Sequence, residues 1–312
     1  MKKPSILYYD VQGFQSSSLD YLDKYFELKT LPDPNHDATT ILKTIHALFA
    51  PMGFKCDKAK IDQCPQLQVI GSPTTGLFHI DTEYASKRNI RVCSLHDQQA
   101  FLKGITATAE LTWGLILEVT RRIGAAHDAV CSGQWAGKRF GAQTPKMLSN
   151  MSLGVLGLGR LGEWVARYAR AFNMRVCYYD PHVTDERFIR CKSPLDLAAS
   201  SEILSIHVHL SPETRHMVDD AFLKAMPHGA YVVNTSRGGV ADEEALLRAL
   251  MNGHLGGAAL DMLENEHLPG FREGLKDRPL VRYAQTHDNL ILTPKMGGCT
   301  VDAWETTEMR IV

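Results

Sequence analysis

Two periodicities alternate along this chain. Short apolar runs read as buried strands: ILYYDV (6–11), LQVIG (67–71), IRVCS (90–94), LGVL (153–156), VCYY (176–179), ILSIHVHL (203–210), GAYVVN (229–234), GAAL (257–260) and NLIL (289–292). Between them apolar residues return at intervals of three and four, the spacing of one helix face. Ile41, Leu42, Ile45, Leu48 and Phe49 keep that spacing and predict a helix over 39–49, after a polar stretch. Leu111, Leu115 and Val119 predict a long amphipathic helix over 106–123, and Leu246, Leu247 and Leu250 another over 242–252. Shorter helices are expected at 82–88, with Asp81 as N-cap, at 194–199 and at 220–225. Segment 124–150, rich in Gly, Ala, Ser and Pro, reads as a connection between two domains, with a surface arm around Trp135. Strands alternating with helices make this an α/β chain of doubly wound parallel sheets, whose ligands bind beyond the carboxyl ends of the strands. The loop SPTTG at 72–76 lies at such an end and is either a ligand loop or a turn with ordinary capping chemistry.

The stretch 151–180, MSLGVLGLGRLGEWVARYARAFNMRVCYYD, narrows the chemistry. After the strand come Gly157, Gly159 and Gly162 in G-x-G-x-x-G spacing, then a helical face through Trp164, Val165, Tyr168 and Phe172. Gly157 makes the tight turn, Gly159 lets backbone approach a pyrophosphate, and Gly162 lets helix pack on strand. The helix N-terminus offers free N–H groups to the phosphates. Asp180 ends the second strand where a carboxylate accepts hydrogen bonds from an adenosine ribose, and it repels the extra phosphate of NADP. The cofactor expected is NAD.

Composition removes alternatives. The 312 residues, 44% hydrophobic, suit two ordinary domains with a core each. With 34 basic against 35 acidic residues, interspersed, there is no electrostatic footprint for nucleic acid or an anionic membrane. No run approaches the length of a membrane span, and MKKPSILYYDVQGF lacks the apolar core of a signal peptide. The 7 cysteines (56, 64, 93, 131, 177, 191 and 299) are scattered, with no C-x-x-C pair and no histidine at ligand spacing for Cys56 and Cys64. The expectation is a reduced, cytoplasmic protein without a structural metal.

Further motifs accompany the glycine triad: NTSRGG at 234–239, ALDMLENE at 259–266 and LTPKMGG at 292–298, with SPTTGLFHID at 72–81 and ATAE at 107–110. In this order and spacing the chain resembles the NAD-dependent D-isomer-specific 2-hydroxyacid dehydrogenases over roughly residues 67–305. The resemblance implies two Rossmann-like domains: a flavodoxin-like substrate domain from 1–103 and 299–312, and a dinucleotide-binding domain over 104–298. It implies hydride transfer between NAD(H) and a 2-hydroxy or 2-oxo acid, and a homodimer formed through the 100–150 region. Arg237 would hold the substrate carboxylate, Glu266 would tune the acid/base, and Thr74, Thr75 and Gly76 would lie on the substrate side. Arg160 and Leu161 would contact the phosphates, His209 and Thr235 would line the cofactor groove, and Asp261 and Gly297 would lie near the nicotinamide. A helix beginning near residue 302 would return to the first domain, and family members generally continue beyond residue 312.

At the family's catalytic histidine, in a T-P-H-x-G-G pattern, stands Lys295. Histidine titrates near neutrality, whereas an unperturbed lysine does so near ~10.4. Three roles fit: Lys295 is itself the proton donor and acceptor; it anchors a carboxylate or phosphate of a different substrate; or hydride chemistry is weak or lost and the chain is an NAD(H)-binding regulatory module. His267 and His287 are nearby but sit at other positions.

Overall fold

The computed structural model describes residues 3–135, 137, 146–268 and 270–312. They form two compact units, Met1–Ile105 with Cys299–Val312, and Thr106–Gly298.

The first unit is built on β1 (Ser5–Tyr9), β2 (Glu27–Leu31), β3 (Ala47–Phe49), β4 (Val69–Ser72) and β5 (Arg91–Ser94). They form one sheet in the order β2-β1-β3-β4-β5, every neighbouring pair parallel, which is the flavodoxin-like arrangement. Period-two alternation sends Leu7 and Tyr9 of β1 to one face and Ile6 and Tyr8 to the other. Both faces are covered, which is why the strand is apolar at every position. Asp81 caps helix Thr82–Lys87 as expected, its carboxylate accepting the Tyr84 N–H at 2.9 Å.

Two segments here differ from expectation. The helix predicted over 39–49 stops at Leu42, and Ala47–Phe49 is a strand between β1 and β4, paired with Ile6–Leu7 and Val69–Gly71. Ala47, Leu48 and Phe49 are consecutive and all buried, so a strand burying both faces satisfies them, where a helix would turn part of the run to solvent. The polar stretch before it holds helix Ser16–Tyr25, which buries only Ser18 and Leu22, and the half-exposed β2. Neither carries a long apolar signal.

The second unit carries β6 (Ser152–Leu156), β7 (Arg175–Tyr179), β8 (Ile189–Arg190), β9 (Ile203–Ile206), β10 (Ala230–Asn234), β11 (Leu255–Leu260) and β12 (Leu290–Leu292). Their order, β12-β11-β10-β9-β6-β7-β8, is all parallel and reverses between β6 and β9, the Rossmann switch point. Helix Ala107–Arg121 packs on this sheet through Leu115, Ile116 and Val119, each side chain contributing roughly 1.5–3 kcal/mol by burial. The Trp113 indole N–H bonds the Val165 carbonyl at 3.2 Å and its ring stacks on Phe172 at 4.6 Å, fixing this helix against the one that follows the glycine triad.

Segment 124–150 is not a connection between the units. A helix, Ile123–Cys131, follows directly after Arg122, which stands in the left-handed region at φ 51°, and the segment lies within the second unit. Trp135 is 90% exposed, and the rest of the expected arm, 136 and 138–145, lies outside the described residues. Among the described residues no helix is long and apolar enough to cross a membrane, and no group of three His, Cys, Asp or Glu could hold a metal ion.

Candidate active site

The turn after β6 is shaped by its glycines. Gly157 has φ +92°, and a side chain there would meet the His207 carbonyl at 2.9 Å; at Gly162 a Cβ would lie 2.1 Å from the Gly157 oxygen. At Gly159 a Cβ would meet nothing within 4 Å. Two glycines are therefore required by packing, and the third leaves open space over the start of helix Arg160–Ala171, whose first-turn N–H groups have no intrahelical acceptor. That cradle fits a diphosphate. Arg160 is half-buried beside it, and burial lowers its pKa from the usual arginine value.

Asp180 is 9% exposed and bonds the turn directly: Oδ2 accepts the Leu158 N–H at 2.9 Å, and Oδ1 accepts those of His182 (2.8 Å) and Val183 (2.9 Å). A carboxylate has about four acceptor sites, so capacity remains for a ribose hydroxyl. The fit to NAD is thus good at both the phosphates and the adenosine ribose.

The strand predicted over 203–210 ends at Ile206, so His207 and His209 are loop residues. His207 Nε2 lies 2.7 Å from Ser205 Oγ, and burial pushes its pKa down to about 4. His209 is exposed, and its carbonyl accepts the Thr214 hydroxyl at 2.6 Å.

Three strand ends assemble the other half of the site. At the end of β10, buried Asn234 braces the turn: its Oδ1 accepts from Ser236 N (3.0 Å) and Oγ (2.9 Å), and its Nδ2 donates to the Arg237 carbonyl at 3.0 Å. Arg237 is half-buried, its Nη1 donating to the Ser236 carbonyl at 2.7 Å. The Thr235 hydroxyl is turned inward, 2.8 Å from that of Thr112. Next comes Gly238, where a Cβ would lie 2.1 Å from the Leu263 carbonyl carbon and 2.3 Å from Glu264 N. The Arg237 turn and the loop after β11 are therefore in backbone contact.

That loop contains two glutamates with different duties. Glu264 is tied to Arg215 (3.0 Å) and His216 (3.1 Å), and its N–H donates to Glu243 at 2.5 Å. Glu266 is the acid paired with Lys295, Nζ to Oε1 2.7 Å.

Lys295 is held from below by Asp261, which is 2% exposed. The Asp261 carboxylate accepts from Thr293 Oγ1 (2.6 Å), Met296 N (2.9 Å) and Gly297 N (2.8 Å), and its carbonyl accepts the Lys295 N–H at 3.1 Å. The backbone at Lys295 is left-handed, φ +57°, while its side chain is about half-exposed, 47%. His287 is stacked on Tyr283 at 3.9 Å, and His267 is exposed.

In the other unit, loop 72–76 is more than a plain turn. Fully buried Ser72 places Oγ 2.8 Å from Thr74 Oγ1, which donates to the Gly76 carbonyl at 2.9 Å. Buried His79 backs it, Nε2 to Ser72 Oγ 3.2 Å, and burial lowers the His79 pKa. The Thr75 carbonyl accepts from His96 Nδ1 at 3.0 Å.

A Rossmann cradle, an arginine on one strand-end turn and a lysine–glutamate pair on the next two describe a dinucleotide-dependent enzyme acting on a carboxylate. The model of the D-isomer specific 2-hydroxyacid dehydrogenase, NAD binding domain, matches residues 113–297. The chain belongs to the D-isomer specific 2-hydroxyacid dehydrogenases. Like them, this dehydrogenase uses NAD to move a hydride between 2-hydroxy and 2-oxo acids. It is similar to the glyoxylate reductase of Thermofilum pendens, 34% identical over 287 residues, covering 89% of this chain and 79% of that one. The glyoxylate reductase of Aeropyrum pernix is 32% identical over 314 residues, 96% of this chain and 88% of the relative. Among solved structures, the D-lactate dehydrogenase of Aquifex aeolicus, complexed with NAD and lactic acid, superposes with a TM-score of 0.77 at 26% identity, covering 97% of this chain and 92% of that one.

Sequence reasoning about this dehydrogenase passed over Asn234 and the contact at Gly238, both inside the quoted NTSRGG motif. The available signal was their place between a strand end and Arg237. Asp261 was expected near the nicotinamide; its clamp on the Lys295 loop depends on a bond between distant strand ends that no local pattern encodes.

Proposed function

We propose that Lys295 is the proton donor and acceptor of this dehydrogenase, with Glu266 as its orienting partner and Arg237 as the anchor of the substrate carboxylate. The observation that carries the reading is the 2.7 Å pair between Lys295, on the loop fixed by Asp261, and Glu266, on the loop in backbone contact with the Arg237 turn. Arg237 presents a planar fork suited to a carboxylate and places positive charge near the adjacent carbonyl. Lys295 gives a proton to the carbonyl oxygen on reduction and takes it back from the hydroxyl on oxidation. Glu266 fixes the direction of the ammonium and balances its charge. Bound NADH supplies the hydride, and NAD⁺ receives it in the reverse direction. The amides from Gly159 through Arg160, Leu161 and Gly162 hold the diphosphate, and Asp180 holds the ribose. His209 and Thr235 border the groove, Thr235 through its methyl and backbone because its hydroxyl is spent on Thr112. Asp261 and Gly297 support the nicotinamide side.

In this reading residues 104–298 bind the cofactor, while 1–103 and 299–312 form the substrate domain, with Thr74, Thr75 and Gly76 as its substrate-binding loop. The glyoxylate reductases among the relatives support glyoxylate as one substrate. A homodimer through the 100–150 region is supported by Ile123, Val130 and Met147, apolar yet 53%, 50% and 70% exposed. The seven free thiols support a reducing, cytoplasmic setting.

The test is NADH oxidation with glyoxylate by the wild type, Lys295→Met and Lys295→Arg. Arginine keeps the charge beside Glu266 but cannot give up its proton. Both variants should lose about 10²- to 10⁴-fold in kcat. An arginine variant within a few-fold of wild type would show that Lys295 only anchors charge.

A further inference from the structure

Glu266 reaches Lys295 from a loop that, among the described residues, has no helix or strand between Leu260 and Leu275, so contacts from outside the loop must set its place. Its carboxylate has two partners: Oε1 pairs with Lys295 at 2.7 Å, and Oε2 accepts the Leu263 N–H at 3.4 Å. The direction of Glu266 is therefore only as well fixed as the backbone at Leu263 and Glu264, the same stretch that Gly238 touches.

Two grips hold that stretch, and both pass through Glu264. Its Oε1 accepts from Arg215 Nη1 (3.0 Å) and His216 Nε2 (3.1 Å), and its own N–H donates to Glu243 Oε1 at 2.5 Å. An ionised carboxylate only accepts, so His216 carries a proton on Nε2. The Arg215–His216 segment is in turn bonded to the Arg237 turn: the His216 N–H donates to the Gly239 carbonyl at 2.9 Å, and the Val218 N–H to that of Val240 at 3.1 Å. On the other flank Glu243, the first residue of helix Glu243–Met251, also accepts from Arg278 Nη2 at 2.6 Å. The Glu264 side chain is 18% exposed, which separates this cluster from the solvated ion pairs that contribute little. Asn265, left-handed at φ +62°, parts the two acids: Glu264 is bonded to residues 215 and 216, and Glu266 to Lys295.

We infer that Glu264 is a positioning residue of this dehydrogenase: gripped by Arg215 and His216, it holds Glu266 where Glu266 orients Lys295. The inference rests on the roles of Lys295 and Glu266 proposed above. Glu264 takes no part in the proton transfer and acts through Glu266, which distinguishes it from a residue that only stabilises the loop.

The experiment is a double-mutant cycle in kcat and KM for glyoxylate with NADH. It uses the wild type, Glu264→Ala, Glu266→Gln and the two combined, each assayed where urea unfolding shows the protein folded. Glu264→Ala should lower kcat about 10- to 100-fold, as for a group displaced by up to about 1 Å, while KM changes less than about threefold because Arg237 still binds the carboxylate. In the Glu266→Gln background the same substitution should lower kcat less than about threefold, since residues that act as a unit are not additive. Glu264→Gln keeps an acceptor for Arg215 and His216 and should recover most of the lost kcat. Arg215→Ala, at a half-exposed side chain, should lower kcat in the same direction and add nothing to Glu264→Ala. A wild-type kcat in Glu264→Ala, or an equal loss with and without Glu266, would overturn the positioning role, as would Glu264→Gln no better than Glu264→Ala. Glu266→Gln as active as the wild type would overturn the proposed chemistry at Lys295, and the role of Glu264 with it.

Discussion

Gly238→Ala is the sharpest available perturbation of the site, because the structure fixes its size. The added Cβ would lie 2.1 Å from the Leu263 carbonyl carbon, and 2.3 Å from the Leu263 oxygen and Glu264 N. Real Cβ contacts essentially never fall below 3.0 Å, and backbone atoms have no rotamer by which to escape, so turn and loop must part by about 0.9 Å. Overpacking of this kind costs about 1–3 kcal/mol of stability. The functional cost should be larger in proportion. Arg237 precedes the contact on one side and Glu266 follows it on the other, and a misplacement of about 1 Å between such groups costs roughly 10²-fold. The assay is kcat/KM for glyoxylate, read beside urea unfolding and NADH binding by fluorescence. We expect activity to fall about 100-fold, stability by about 1–3 kcal/mol, and NADH affinity to stay within a few-fold, because the glycine triad is untouched. Gly239→Ala is the internal control: its nearest neighbours are Leu210 side-chain atoms at 3.3 and 3.4 Å, which can yield. A fully active Gly238→Ala, or a Gly239→Ala equally impaired, would refute the argument that this contact aligns Arg237 with Glu266.

Two further outcomes are expected. Lys295→Gly removes a left-handed non-glycine residue, φ +57°, that costs about 1 kcal/mol, together with a partly exposed ion pair (Lys295 47%, Glu266 16% exposed) worth about 1 kcal/mol. The variant should therefore unfold at the same or slightly higher denaturant concentration while losing its turnover; a marked loss of stability would contradict this. His207 is held neutral by burial, its pKa pushed from 6.5 down to about 4. The unfolded chain takes up that proton first, so the contribution is complete above pH 6.5 and is lost as pH falls toward about 4, by up to ~3 kcal/mol. Urea unfolding between about pH 7 and pH 4 should show a shallower dependence in His207→Asn than in the wild type; parallel curves would exclude His207 as a source of the slope.

What was legible in the sequence follows from how far each signal reaches. Strands such as Ser152–Leu156 and Ala230–Asn234 are buried at every position, so their apolar runs mark them almost to the residue. The triad declares its own geometry, because each glycine answers a local steric demand. The segment 39–49 failed because Ile41 and Leu42 in a short helix and Leu48 and Phe49 in a strand together imitate one helical face; only pairing with residues 6–7 and 69–71, far along the chain, separates the two. Helix Ser16–Tyr25 was missed because it presents a narrow apolar stripe to the core, and β2 because it lies at a sheet edge and is half solvated. At the site, the resemblance named Arg237, Glu266 and Lys295 by motif position, and what the structure adds is why, of Glu264 and Glu266, the second meets the lysine. Arg215 and His216 claim the first of these acids, leaving the second for Lys295.

The discontinuous smaller unit has a consequence for biosynthesis. Its helix Ser16–Tyr25 begins at an amide that waits for Glu308, 293 residues later, and Ile311 reaches the strand that carries Gly71. While the ribosome is still adding helix Val301–Ile311, every residue of the Thr106–Gly298 unit has already been made. The cofactor half can therefore begin to fold first, while the five-stranded half remains an open nascent sheet without that helix. Closing so long a loop costs little extra entropy, since the cost grows only with the logarithm of its length. The price is exposure in time: until translation passes helix Val301–Ile311, the apolar floor beneath it is bare to chaperones and to other growing chains.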